Sequence, residues 1–156
     1  MLNYLIIFLI SMVPLIELRG AVIYAVGMDL PLLPSYIICI IGNMLPVPFI
    51  YFFARKVLLW GRDKRFIGKF FTFCLEKGEK GGQKLTAKAG RGGLFVALML
   101  FVGIPLPGTG AWTGALAASF LNMGFKSTVA SVSLGVIMAG IIMGVASSLG
   151  FHFLGI

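Results

Sequence analysis

The chain has 156 residues, of which 59% are hydrophobic and only 12% are charged, and its mean hydropathy is +1.02. Soluble domains are usually about half apolar and about a quarter charged, so this chain has too few polar side chains to cover a water-exposed surface. Disordered chains are poor in aromatic and aliphatic residues, which excludes intrinsic disorder as well. The composition indicates an integral membrane protein, and the net charge of +8 has to be interpreted within that class.

The first arm of the chain, residues 1–54, contains an interrupted hydrophobic stretch followed by a continuous one. The interrupted stretch covers 2–28 and is broken by a proline and by the polar residues that follow it. The continuous stretch, 32–53, is long enough to cross a bilayer, which takes about 20 apolar residues in a helix. Two prolines near its end, Pro46 and Pro48, are expected to kink this helix or end it early. Because no basic residue precedes the first stretch and no A-x-A site follows it, we expect it to remain in the mature protein.

Glu17 and Arg19 are ionisable residues inside the first hydrophobic stretch. Inserting such a residue costs roughly 2.5–3.5 kcal/mol at the centre of a membrane helix, so it persists when it is paired, hydrated or functional. Residues two apart do not face each other on a helix, and Pro14 and Gly20 favour an unwound backbone here. One interpretation is a charged loop at the membrane surface. The interpretation that we prefer is a site in which Arg19 binds an anion and Glu17 carries a proton or balances charge.

The central segment, residues 55–92, accounts for the whole net charge, because 11 basic and 3 acidic residues lie between Arg55 and Arg91. Short basic loops between membrane spans mark the cytoplasmic side, so this charge predicts orientation and not nucleic-acid binding. Apolar residues at helical spacing from Phe66 to Cys74 predict a basic amphipathic helix on the membrane surface. A solvated loop with a helix packed on the bundle is the alternative. The central glycines are expected to act as hinges, and the residues expected to bind anionic lipid headgroups are Arg62, Arg65 and Lys69.

The second arm, residues 93–156, has the same plan, with an interrupted stretch at 94–123 and a continuous one at 128–151. Its interruption contains prolines and glycines but no ionisable group. A helix that begins after it offers free backbone N–H groups to an anion, and Thr109 is expected to cap that helix or to bind substrate. A simple proline kink is the alternative. The candidate substrate-binding or ion-binding residues of this interruption are Pro105, Pro107, Gly108, Thr109, Gly110 and Trp112.

The shared plan of the two arms is compatible with two topologies. If each interrupted stretch crosses the bilayer, there are four spans and both termini are cytoplasmic. If each is a re-entrant hairpin, two spans remain, both termini lie outside and the arms are inverted repeats. Lys126 is cytoplasmic only in the second topology, which the preference of basic residues for that side favours. An offset of 90 residues places Gly20 on Gly110, and paired interruptions of this kind point to a transporter site.

Small residues recur four apart in the second arm. This spacing favours close helix packing. Because so few spans cannot easily enclose a pathway, we expect part of this surface to form a homodimer interface. No Cys/His pattern predicts a metal site, and no nucleophile–base set indicates an enzyme. The two series of small residues are Gly110, Gly114 and Ala118, and Ser131, Gly135 and Ala139.

The sequences around the two interruptions resemble the signature stretches of the small multi-drug export protein family. These sequences are PLIELRGA at 14–21 and PLPGTGAWTG at 105–114, and the likeness in length, two-arm plan and basic centre extends over nearly the whole chain. The family is a bacterial and archaeal group related to the DedA or VTT superfamily. That relationship implies paired re-entrant hairpins, each followed by a transmembrane helix, in the cytoplasmic membrane. It also implies proton-coupled movement of lipid phosphates such as undecaprenyl phosphate, with Glu17 and Arg19 as the membrane-embedded acid and arginine.

Together these predictions describe an all-α integral membrane protein of two inverted repeats, each a broken helical hairpin plus a transmembrane helix, joined by a basic amphipathic segment. The predicted function is a small proton-coupled transporter that moves an amphipathic substrate, either a lipid phosphate or a drug, through a site between the broken helices. Its predicted partners are the bilayer, the substrate, protons and a second copy of the chain, with no cofactor, no metal and no nucleic acid. A non-transporting scaffold or accessory subunit that binds anionic lipids through the basic segment is the alternative.

Overall fold

The structure, a computed structural model, describes residues 2–14, 16–62, 68–106 and 108–154. These residues are mostly helical and form no β-strand, which confirms the all-helical prediction. The helices in the described part of the chain are α1 Leu2–Met12, α2 Glu17–Gly27, α3 Leu32–Met44, α4 Pro46–Arg62, α5 Gly68–Gly103, α6 Ala111–Phe120 and α7 Phe125–Leu154.

Two helical stretches are long and apolar enough to cross a membrane, as expected for a membrane protein. One is α3 and α4 together, Leu32–Arg62, and the other is Phe125–Gly150 within α7. Leu45 joins α3 to α4 with helical dihedral angles (φ −60°, ψ −41°). The helix therefore does not end at the two prolines that follow Leu45, because a proline removes only its own backbone donor when the surrounding turns are held by packing.

The remaining apolar helices are too short to cross a bilayer individually. At 1.5 Å per residue, the 11 residues of α1 measure about 16–17 Å, roughly half of a hydrocarbon core about 30 Å thick. The same holds for α2, for α6 and for the last part of α5, Gly90–Gly103. α1 packs against α2, and α5 packs against α6. Each interrupted stretch is therefore a pair of short helices in mutual contact.

The basic segment continues into α5, which changes direction at Gly90. This residue has φ 69° and ψ 178°, a combination that glycine adopts far more readily than other residues. One of the central glycines that are expected to act as hinges is therefore the point at which α5 bends. The surface helix predicted from Phe66 onward is only partly described, because 63–67 lie outside the described residues. From Gly68 onward the chain is helical, and Lys69 is exposed.

The helices of the two arms pack in matching pairs. Within each arm the first short helix contacts the long helix, α1 with α3 and α5 with α7. Between the arms the second short helix contacts the long helix of the other arm, α2 with α7 and α6 with α4. Close van der Waals packing of apolar side chains where these pairs meet stabilises the arrangement. The fully buried residues of this core include Leu18, Val22, Val47, Val102 and Val132.

The loops after α2 and α6 have the same backbone hydrogen bonds at an offset of 93 residues. The amides of Leu30 and Met123 each donate to the carbonyl group five residues earlier (both 3.0 Å). The residues before them, Asp29 and Asn122, both have positive φ (50° and 55°). This combination ends a helix with one residue in the left-handed conformation, which Asp and Asn tolerate better than most residues. These two loops therefore match at an offset of 93 residues, whereas the offset of 90 noted in the sequence aligns Gly20 with Gly110.

The same offset relates the two long helices. The hydroxyl groups of Ser35 in α3 and Thr128 in α7 each donate to the carbonyl group four residues earlier (2.8 and 3.1 Å). Gly42 and Gly135 lie where these helices approach the first short helix of their own arm, and an added Cβ at either position would lie within 3 Å of that helix. Glycine permits this close approach, as the small-residue pattern around Gly135 predicts.

Candidate functional site

The two interruptions of the hydrophobic stretches are in direct contact. Glu17 begins α2 with positive φ (52°), and its side chain is only 5% exposed. The carboxylate oxygens Oε2 and Oε1 accept hydrogen bonds from the backbone N–H groups of Ala111 and Trp112, both at 3.0 Å. These are the first two amides of α6, and amides at a helix N-terminus have no partner within their own helix. Glu17 therefore caps the N-terminus of α6 from the other arm of the chain.

The backbone at the start of α6 is shaped to receive this carboxylate. Gly110 is the N-cap residue, with φ 146° and ψ −173°, and it has no side chain to cap the helix itself. An added Cβ at this position would lie 2.1 Å from Glu17 Oε2. The Glu17 carboxylate thus takes the place that the side-chain oxygen of an Asn, Asp or Ser N-cap usually fills. Its negative charge also complements the partial positive charge of a helix N-terminus.

Arg19 binds the other side of the second interruption, where α5 ends. Its Nη1 donates to the carbonyl oxygen of Leu106 at 2.6 Å, and its Nη2 lies 3.3 Å from Ile104 O and 3.4 Å from Val102 O. Nη2 also donates to the hydroxyl oxygen of Thr109 at 2.7 Å. Val102 lies in the last turn of α5, where the carbonyl groups carry partial negative charge, and the several N–H donors of a guanidinium suit this cluster of acceptors.

Glu17 therefore binds the N-terminus of α6, and Arg19 binds the C-terminal end of α5. The sequence predicts an unwound backbone here, which a direct pair between these two side chains would require. In the structure Arg19 lies within helical α2, and the two side chains have separate backbone partners. A buried carboxylate and a partly buried guanidinium are stabilised in this way by helix ends of complementary charge.

Thr109 closes the second interruption and does not cap α6. Its hydroxyl group lies 2.8 Å from the carbonyl oxygens of both Ile104 and Leu106, in addition to its bond from Arg19. The Leu106 amide lies 3.3 Å from the same hydroxyl oxygen. The capping role expected for Thr109 is taken by Glu17, because Thr109 lies two residues before α6 and points to the turn behind it.

The other predicted site residues divide into two groups. Pro105 and Gly108 belong to the same interruption, and Gly108 has φ 81°. The indole Nε1 of Trp112 is buried and has no hydrogen-bond partner among the described residues. Pro107 and Arg65 lie outside the described residues. Arg62 and Lys69, at the end of α4 and the start of α5, have exposed side chains.

Asn43 lies beside Glu17 and Arg19, although no sequence motif marks it. It lies in α3, is 2% exposed and lines a small cavity together with Glu17 and Arg19. Its Oδ1 has no hydrogen-bond partner among the described residues. The available signal is a single side-chain amide within the otherwise apolar stretch 32–53, since polar side chains at membrane depth generally face the interior of a bundle.

Most of the chain, including both interruptions, matches a known protein family. Residues 17–142 match the family described as "Putative small multi-drug export protein". No curated protein and no solved structure matches the chain. The family match extends from Glu17 through both interruptions and into α7, which is well over half of the chain. The chain therefore belongs to the small multi-drug export protein family, as the motifs around its two interruptions predict.

Proposed function

We propose that the protein is a small membrane transporter and that the contact between the two interruptions is its substrate site. The observation that carries this proposal is the Glu17 carboxylate bound to the N-terminal amides of α6, with Arg19 in the same contact. A carboxylate on free helix amides occupies a position that other anions, above all phosphate groups, can also occupy. The family description, which names export, agrees with a transport role.

The proposed mechanism is an exchange of anions at one site. Ionised Glu17 binds the amides of Ala111 and Trp112 and keeps the two interruptions together. Protonated Glu17 no longer complements the positive helix end, so an anionic head group replaces it on those amides. Arg19 then turns from the carbonyl groups to the head group, which it can bind through two parallel N–H groups. Proton uptake and substrate binding are thereby linked, because the site cannot hold both anions.

The substrate class that we propose is an amphipathic anion, with a lipid phosphate such as undecaprenyl phosphate as the principal candidate. The resemblance to the DedA or VTT superfamily supports a lipid phosphate. Two features beside the site fit such a molecule. The indole N–H of Trp112 can donate to a head group, and the side chain of Leu106, 55% exposed, offers apolar surface to a hydrocarbon chain. A cationic drug would instead use Glu17 as its counter-ion.

We further infer that the two arms are inverted repeats built on re-entrant hairpins. The short helices of each interruption, their mutual contact and the 93-residue offset of equivalent positions support this inference. One full crossing per repeat turns the second repeat upside down relative to the first. The interruptions then meet from opposite sides near the bilayer midplane, where sites of this type lie. The basic segment 55–92 and Lys126 are cytoplasmic in this arrangement.

Cysteine accessibility tests this topology. In a variant whose native Cys39 and Cys74 are replaced by serine, we expect Asn3→Cys to react with a membrane-impermeant maleimide added outside intact cells. Lys126→Cys should react only after the cytoplasmic side is exposed in inverted vesicles, because the hairpin topology places it there. Labelling of Asn3→Cys from the cytoplasmic side alone contradicts the hairpins and favours four full crossings.

Flux measurements in reconstituted vesicles test the transport proposal. We expect Arg19→Ala to reduce lipid-phosphate flux per folded protein by about 10-fold or more, because a charged hydrogen bond is worth roughly 1.5–3 kcal/mol. Glu17→Gln should retain substrate binding but lose the dependence of flux on a pH gradient, because an amide takes up no proton. Lys126→Ala, an exposed cation away from the interruptions, is the matched control. Unchanged lipid-phosphate flux in Arg19→Ala contradicts the proposed substrate, and loss of drug flux only in Glu17→Gln points to a cationic substrate.

A further inference from the structure

A small cavity lies next to the contact between the interruptions. Its polar wall consists of Glu17, Arg19 and Asn43, and the rest is formed by small apolar side chains such as Val102 and Val136. Five helices contribute to this wall: α2, α3, α5, α6 and α7. The volume that it leaves open to a water molecule is about 10 Å³. That space corresponds to a single water molecule.

The hydrogen-bonding groups around this cavity are complementary to water. Asn43 Oδ1 is a buried acceptor without a partner among the described residues. The Glu17 carboxylate is a second acceptor with lone pairs beyond those that bind the α6 amides, and Arg19 has five N–H donors. A water molecule has two hydrogens to donate and can accept in return. Buried waters typically make about three such bonds to groups that are otherwise unsatisfied.

We propose that one tightly bound water molecule joins Asn43 to Glu17 in this cavity. It donates one hydrogen bond to Asn43 Oδ1 and the other to the Glu17 carboxylate, and it accepts from Arg19. Asn43 is then a positioning residue, which acts through the water to hold the carboxylate on the α6 amides. A hard metal cation fits less well, because such ions take about six or more oxygen ligands and the positive Arg19 faces the same space.

This water also gives Glu17 a defined proton donor, a role that rests on the proposed function. Among the residues that line the cavity, Glu17 and Arg19 are the titratable ones, and arginine stays protonated. A proton that reaches the water makes hydronium, which transfers that proton to the carboxylate and becomes neutral water again. Val136, the counterpart of Asn43 at the 93-residue offset, is apolar and lines the same cavity. The polar side chains around the water therefore all come from the first arm.

Infrared spectroscopy of the protein in lipid bilayers tests for the water. The carbonyl band of protonated Glu17 is identified by its loss in Glu17→Gln. We expect this band to move to higher frequency in Asn43→Leu, which is similar in size but cannot hold the water. Asn43→Ser, whose hydroxyl group can bind it, should remain close to wild type. Val136→Leu, which fills the cavity without touching the amide, should reproduce the shift and serves if Asn43→Leu fails to fold.

A matched control and a second measurement complete the test. Ser119→Ala removes a buried hydroxyl group that donates to Tyr51 O (3.1 Å) and should leave the Glu17 band unchanged. If the Glu17 band is unchanged in both Asn43→Leu and Val136→Leu, the proposal of a bound water between Asn43 and Glu17 is wrong. If the band shifts while proton-coupled flux persists in Asn43→Leu, the role of the water in proton delivery is overturned. If the wild type shows no coupled flux but Asn43→Leu shifts the band, the proposed function fails and the water stands.

Discussion

Arg19→Ala is expected to lower the free energy of unfolding by about 2–4 kcal/mol, because charged hydrogen bonds are worth roughly 1.5–3 kcal/mol each and this change removes more than one. The guanidinium donates to Leu106 O at 2.6 Å and to the Thr109 hydroxyl at 2.7 Å, and it lies near two further carbonyl oxygens at the end of α5. Without it, the oxygens of Ile104 and Leu106 lose their charged donor and keep only the neutral backbone amides of Leu106 and Thr109 and the Thr109 hydroxyl group as partners.

Two further variants make this prediction specific to the geometry of the guanidinium. Arg19→Lys keeps the charge but has one nitrogen in place of the two guanidinium nitrogens that bind Leu106 O and Thr109 Oγ1 separately, so we expect an intermediate loss of stability. Lys126→Ala removes an exposed cation and should have little effect. Unfolding in mixed detergent micelles, followed by helical circular dichroism, measures all three. Equal stability of Arg19→Ala and Lys126→Ala would show that the carbonyl groups do not depend on Arg19.

The sequence identifies Glu17 and Arg19 because a charge inside a hydrophobic stretch is expensive and needs an explanation. It does not identify their partners. These are backbone N–H and carbonyl groups about 90 residues away. The sequence predicts one site between the two interruptions, but it does not show which backbone groups each side chain binds. The expectation that the N-terminus of α6 is open to substrate therefore misses that Glu17 covers it. A helix end is visible in a sequence, whereas its occupant depends on tertiary packing.

The sequence predicts that each arm has an interrupted stretch followed by a continuous one, but it does not predict the residue offset at which the loops of the two arms match. An offset of 90 aligns two small residues, Gly20 with Gly110 and the alanines that follow them. The hydrogen bonds and dihedral angles of the loops match at 93 instead. At that offset, matched residues such as Asp29 and Asn122 have the same backbone conformation but differ in residue type. Asn43 escapes sequence analysis for a related reason, because its counterpart Val136 is apolar and no repeated motif marks it.

Gly110→Ala is expected to destabilise the fold by about 2–6 kcal/mol, from two causes that act together. Its backbone (φ 146°, ψ −173°) lies in a region that is essentially limited to glycine, and such strain is worth about 1–3 kcal/mol. The added Cβ would also lie 2.1 Å from Glu17 Oε2, and overpacking of this kind costs about 1–3 kcal/mol. The clash pushes the carboxylate away from the amides that it caps, so transport should also be lost.

The chain offers a matched control for each of the two causes. Gly108→Ala, in the same loop, has φ 81° but no atom within 4 Å of an added Cβ, so it should cost the strain alone, about 1–2 kcal/mol. Combining Gly110→Ala with Glu17→Ala removes the clashing carboxylate, so the double variant should be less destabilised than the sum of the two single variants. Unfolding measurements on the wild type, Gly110→Ala, Glu17→Ala and the double variant give this coupling directly. If Gly110→Ala behaves like Gly108→Ala and the double variant is additive, the Glu17 carboxylate does not lie on α6 in the membrane, and the anion-exchange mechanism has no basis.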